Sequence, residues 1–205
     1  MKIAVTFLFS LTLTILSFAQ DKDNSVQFGL GVSLSSELSV YRVYSELGEL
    51  QIITQPMNMA NFSMIIKVKS FRFEPSFGYY TSTREYSDAG YSSDRSSSNL
   101  RLGAVVGFNN DSIESMNFYY GVDFGFIISS YSYTSSISDQ STDDSKTDFF
   151  IGPAVGGEYM FNKHFSLGGE INLNYISFGQ YDSEGESSSW AISTRGLIYL
   201  RWYVN

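Results

Sequence analysis

The sequence predicts an all-β protein, an eight-stranded antiparallel up-and-down transmembrane β-barrel. Three observations predict it. Apolar and polar residues alternate with period two through the chain after residue 25. The alternating stretches run about ten residues, the length that crosses a bilayer at a tilt. The connections between them alternate strictly between short and long.

The first nineteen residues are set apart. Met1-Lys2 gives a positive start, residues 3–16 carry no charge, and Ser17-Phe18-Ala19 places small residues where a signal peptidase reads. The reading is a signal peptide over 1–19 and one barrel domain over 20–205. The chain has 205 residues and no Cys, which excludes a disulfide framework, thiol chemistry and a lipid-modified cysteine anchor. Its formal net charge is -8; loss of Lys2 takes Lys+Arg from 13 to 12 against 21 acids, 12 − 21 = -9. That sign argues against a nucleic-acid partner. Aromatics at 17% argue against disorder.

The strands follow in order. Val26, Phe28, Leu30, Val32 and Leu34 alternate with polar or glycine positions, and Phe62, Met64, Ile66 and Val68 do the same. Phe71 to Tyr79, Leu100 to Phe108 and Phe118 to Ile128 form the third to fifth stretches. Phe149 to Tyr159, Phe165 to Tyr175 and Ile192 to Trp202 complete eight. The short connections are Lys69-Ser70, residues 109–115 and Asn162-Lys163-His164. The long ones are 36–60, 84–98, 130–147 and 179–189. Short turns on one side and long loops on the other are the habit of a membrane barrel. Ser-rich flanks at 92–98, 129–141 and 187–189 predict mobile loops, and acids such as Glu85, Asp94, Asp143 and Asp144 predict an acidic rim.

Glycines at 29, 31, 78, 103, 107, 121, 125, 152, 156 and 168 share the polar face. Small residues suit a crowded lumen, so the apolar face points to lipid. A soluble lipocalin-like barrel would carry more Lys and Glu outside. In the first long connection, 38–44 and 50–54 have strand propensity. They extend strands one and two as a hairpin or, alternatively, add two spanning strands to make ten.

The polar face also holds Lys67, Arg72, Arg101, Arg195 and Arg201 against Glu74, Asp123, Glu158 and Glu170. Charge inside a barrel this narrow must be paired, so these nine are expected to form a structural lumen network. Arg101 and Asp123 lie at similar counts from a short turn and are expected to face each other. No catalytic, metal or cofactor residue is proposed. The one His, His164, lies in a short turn away from the long loops. Glu158 and Glu170 form an acid/base couple less readily than they pair with arginines. Residues 139–144 lack the sixth-position Gly and distal Glu of a Ca²⁺ loop. Trp190, Trp202, Tyr79, Tyr131, Tyr175 and Phe178 read as interfacial girdles.

With its leader, alternating strands and aromatic final strand Thr194-Arg195-Gly196-Leu197-Ile198-Tyr199-Leu200-Arg201-Trp202-Tyr203, the chain resembles the small bacterial outer-membrane β-barrel domain family. In that family the last strand usually ends on an aromatic; here Val204-Asn205 follow Tyr203. The resemblance implies location in the cell outer membrane and contact with its lipid and lipopolysaccharide. The expected function is a monomeric, non-enzymatic barrel with a side-chain-filled lumen and a structural or surface-interaction role. Residues 38–54 are a candidate partner surface. The competing functions are a small-solute or ion transporter and a soluble binding barrel.

Overall fold

The computed structural model describes residues 26–44, 50–51, 54–88, 91–113, 115–135, 140–179 and 190–204. The signal-peptide segment lies outside them. Eight strands form the barrel: β1 (Val26–Tyr44), β2 (Thr54–Val68), β3 (Phe71–Asp88), β4 (Tyr91–Ile113), β5 (Met116–Ser135), β6 (Gln140–Met160), β7 (Phe165–Ser177) and β8 (Trp190–Val204). Each pairs antiparallel with its sequence neighbour, and β8 closes onto β1 from Phe28↔Val204 to Arg42↔Trp190. Closure removes the sheet edges that lipid could not satisfy.

The register fixes the geometry. From Val68, successive partners are Phe71, Phe108, Tyr120, Val155, Ile171, Gly196, Ser36 and finally Asn58. One circuit starts at residue 68 and returns to β2 at residue 58, a shear of ten residues. With the usual strand rise and spacing, that shear tilts the strands by about 40°. Leu34, Phe62, Phe77, Phe126 and Leu200 point outward and stay exposed, while the intervening residues are buried in the lumen. The outer wall carries aromatic pairs such as Phe62–Phe77 and Phe126–Phe149, with centroids 5.9 and 5.7 Å apart.

The short turns are tighter than the sequence suggests. Lys69 (φ 54°) turns β2 into β3, and Ser115 (φ 65°) precedes β5. β4 runs to Ile113 through a register shift after Asn110, so most of the expected 109–115 turn is strand. Two ladders are interrupted at prolines. Pairing between β2 and β3 skips from Ser63↔Ser76 to Ile66↔Phe73 around Pro75. Pairing between β6 and β7 skips from Ile151↔Tyr175 to Ala154↔Asn172 around Pro153. Proline has no N–H to give the ladder.

The main correction concerns the long connections. Residues 84–88 and 91–98 are strand, paired through Arg84↔Arg95, Glu85↔Asp94 and Asp88↔Tyr91. Residues 130–135 and 140–147 are strand as well, paired to Ser135↔Gln140. Tyr, Thr and Ser in alternation hold an extended backbone, and cross-strand bonds satisfy it. β3 to β6 therefore rise as one four-stranded sheet where mobile loops were expected. The first connection takes its hairpin form: Val40 pairs with Thr54, and Leu50–Gln51 folds back on Val43 and Tyr44. The ten-strand alternative is not adopted. Residues 45–49 and 52–53 of that hairpin lie outside the described residues.

Candidate functional site

The lumen is the one place where ionisable side chains converge among the described residues. Its lower cluster, at the short-turn end, centres on Glu158. That carboxylate accepts from Lys67 Nζ at 2.6 Å, Arg72 Nη1 at 3.4 Å, Arg201 Nη1 at 3.3 Å, Ser166 Oγ at 2.9 Å and the Tyr203 hydroxyl at 2.7 Å. Glu74 accepts from Arg72 Nη2 at 2.5 Å and from Arg201 Nη2 at 2.7 Å. Glu170 stands slightly apart and accepts from the Tyr119 hydroxyl at 2.5 Å.

A second cluster lies higher. Arg101 Nη2 donates to Asp123 Oδ2 at 2.9 Å and its Nη1 to Glu37 at 3.3 Å. Asp123 also accepts from Asn172 at 2.6 Å and Asn174 at 3.3 Å, with Arg195 Nη1 at 3.8 Å. Arg195 Nη2 donates to Asn61 at 2.8 Å, and Ser193 donates to Glu37 at 2.5 Å. Between the clusters is a void of about 20 Å³ lined by Ser33, Ser63, Ser76, Glu170, Arg195 and Arg201 among others, about the size of one water.

A three-layer device recurs through both clusters. Tyr119 lies over Gly156, Tyr199 over Gly168 and Tyr203 over Gly29, each pair directly opposed across two strands. An added Cβ at Gly156 would overlap the Tyr119 ring. On each ring rests a cation: Arg72 over Tyr119 at 3.9 Å, Arg201 over Tyr199 at 3.3 Å and Lys67 over Tyr203 at 4.5 Å. Phe150 repeats the pattern against Gly125, with Arg101 at 3.5 Å. Glycine gives the ring room, and the ring gives a desolvated cation an electronegative face. Above this, Ile127, Phe150, Ile176 and Ala191 pack together, with Phe178 against them.

These observations can be set beside known proteins. The family profile described as outer membrane protein beta-barrel domain matches residues 5–194. The chain belongs to this outer-membrane β-barrel family. A search of the curated proteins finds no match. Among solved structures, a major outer membrane protein from Thermus thermophilus has a TM-score of 0.52 at 12% identity, covering 88% of this chain and 100% of that one. Neisserial surface protein A gives 0.49 at 14% identity, covering 85% and 96%. Ail, the attachment invasion locus protein of Yersinia pestis, gives 0.46 at 13% identity, covering 87% and 98%. The first of these likenesses supports the fold. Membership of the family places the barrel in the cell outer membrane, with its apolar wall against lipid.

The outer-membrane barrel brings all nine expected lumen residues inside, in two clusters. Lys67, Arg72, Glu74, Glu158 and Arg201 form the lower one; Arg101, Asp123 and Arg195 form the upper; Glu170 lies between. Arg101 and Asp123 meet, but not as level neighbours: Arg101 pairs with Ile127 and Asp123 with Val105. The long guanidinium spans the four-residue offset. Glu37 was missed, although continuing the odd-numbered inward positions 29, 31, 33 and 35 reaches it. Two girdle assignments are corrected. Tyr79, Tyr175 and Trp202 are exposed outward, and Trp190 stacks on Tyr175 at 6.0 Å. Tyr131, however, lies on the inward parity beneath Arg95, and Phe178, two residues on from buried Ile176, packs on the apolar cluster.

Proposed function

We propose that this outer-membrane barrel is a non-enzymatic, monomeric surface-interaction protein with a lumen closed to solutes, exported by the signal at 1–19. The observation that carries the reading is the projecting sheet. Beyond Ala60↔Tyr79, β3 has no β2 partner among the described residues; beyond Phe149↔Ser177, β6 has no β7 partner among them. Among the described residues, Tyr80–Asp88 and Gln140–Ser145 thus border a four-stranded sheet with no strand paired along either outer rim, while Gly179 lies against Thr147 and donates to Asp148. Free rims are templates for an added strand from another protein. The rim at Asp143 and Asp144 also suits lipopolysaccharide contact through bridging divalent cations. The hairpin at 38–54 is a lesser candidate surface.

Closure of the lumen rests on the two ion-paired clusters and the apolar cluster above them. Its charged side chains balance among the described residues: Lys67, Arg72, Arg101, Arg195, Arg201 and the partly buried Lys146 against Glu37, Glu74, Asp123, Asp148, Glu158 and Glu170.

The reading is tested with cells displaying the protein on a matrix-coated surface. Thr83→Pro and Ser141→Pro remove rim donors and are expected to abolish adhesion while heat-modifiable gel mobility persists. Equal adhesion with and without the protein would remove the interaction role.

A further inference from the structure

We propose that the outer wall carries a binding groove for one acyl chain of an outer-leaflet lipid. The groove crosses β7, β8, β1 and β2, with a volume of about 740 Å³. Its floor includes Gly169, Gly196, Ser36, Asn58 and Ala60, all on outward positions. Gly196 pairs with Ser36, and Ser36 with Asn58. Its ridges are Leu34, Ile198 and Ile171, at 73%, 70% and 65% the most exposed large apolar side chains described.

The two glycines carry the argument. The lumen glycines are required by contact: at Gly107 an added Cβ would overlap the Tyr120 carbonyl. Gly157, on the outer wall, is covered by the Phe118 ring at 3.1 Å. At Gly196 an added Cβ meets nothing within 4 Å, and at Gly169 only the Leu197 carbonyl at 3.3 Å. Packing within the chain therefore explains neither. Glycine weakens a strand interior, and such a position often marks close approach by a ligand. Elsewhere aromatic pairs such as Phe62–Phe77 and Phe126–Phe149 and large aliphatic side chains cover the wall; here it is left hollow.

Place and polarity choose the occupant. The barrel's wall already faces lipid. The shear carries the row from Gly196 through Ser36 to Asn58 upward, toward the long-connection end, and Gly169 lies below it on β7. The apolar part is therefore deep in the membrane and the polar end lies toward the outer leaflet. The Asn58 amide and Ser36 hydroxyl suit the ester or amide that joins an acyl chain to its headgroup. A second copy fits less well: twelve lining residues fall short of the about 20–30 a side that a stable interface uses.

The test uses the whole barrel in two arms, vesicles of dipalmitoyl phosphatidylethanolamine and the same vesicles with lipopolysaccharide. After extraction into mild detergent, native mass spectrometry counts retained lipid. The expected result is one lipid per barrel in at least one arm, falling at least tenfold in Gly196→Leu and Gly169→Leu. The lipid-facing control Val155→Leu should retain it, and heat-modifiable mobility should be unchanged in all. No retained lipid in either arm, or equal retention in the glycine variants, overturns the proposal. So does efficient disulfide dimerisation of Gly196→Cys in the membrane, which would assign the groove to a second copy; the chain has no other cysteine. If a leucine variant misfolds, Gly196→Val replaces it under the same criteria, and unchanged retention there overturns the proposal equally.

Discussion

Glu158 and Glu170 both point into the lumen, yet their surroundings differ sharply. Glu158 accepts from five side chains; among the described residues Glu170 accepts from Tyr119 alone. Glu158→Gln strands Lys67 and leaves Arg72 and Arg201 with Glu74 as their shared carboxylate; it is expected to cost about 3–5 kcal/mol, the usual penalty for breaking a buried ion pair. Glu170→Gln keeps an acceptor for Tyr119 and should cost about 1 kcal/mol. Urea unfolding in detergent, followed by gel mobility, measures both. Asp123 holds Arg101 and two asparagines, so Asp123→Asn should cost more than Arg101→Gln, and the double variant less than their sum. An additive cycle would show that the contact carries no energy. Most of these residues were legible from parity: an acid or base between outward apolar neighbours must face in. Tyr199 falls on the polar face by the same rule, but the stacking of Tyr119, Tyr199 and Tyr203 between a glycine and a cation was not legible, because it depends on which glycine lies opposite.

The strands were legible only where lipid wets one face. There each outward position must be apolar, and alternation marks the strand from Leu100 to Phe108. Above the membrane both faces of β3 to β6 meet water. The apolar half of the pattern disappears while the backbone ladder continues, so Ser92 to Ser98 read as loop. The same loss of constraint leaves like charges opposed, Arg84↔Arg95 and Glu85↔Asp94. Like pairs destabilise by about 0.2–1 kcal/mol. Glu85→Lys creates an attractive pair with Asp94 and is expected to slow hydrogen exchange of the β3–β4 tip several-fold. Trypsin on intact cells should leave Arg84 and Arg95 uncut, since both are held in the ladder; rapid cleavage there would return the segment to a loop.

At the scale of the whole barrel, a shear of ten on eight strands leaves an interior that side chains fill. Among the described residues the six cations and six carboxylates inside, Lys146 and Asp148 included, carry no net charge, so they neither concentrate ions nor demand a counter-ion. Reconstituted protein is expected to show no stable conductance steps in planar bilayers, and regular steps would restore the pore reading. Buried pairs are poorly screened. Raising salt to 1 M should therefore shift the unfolding midpoint far less than Glu158→Gln does.

The lower cluster is also completed by the strand that closes the barrel onto β1. Strands β2, β3, β5, β6 and β7 carry Lys67, Arg72, Glu74, Tyr119, Glu158 and Ser166. Until β8 docks, Glu158 lacks Arg201 and Tyr203, and Glu74 lacks its second guanidinium. The final strand thus brings the missing halves of two ion clusters at the moment it zips onto β1. Its arrival works as a latch: the open sheet can still slide its register, but once Arg201 is seated between Glu74 and Glu158 a slip of even two residues would pull a guanidinium out of both. The fifteen residues of β8 hold the register of the rest.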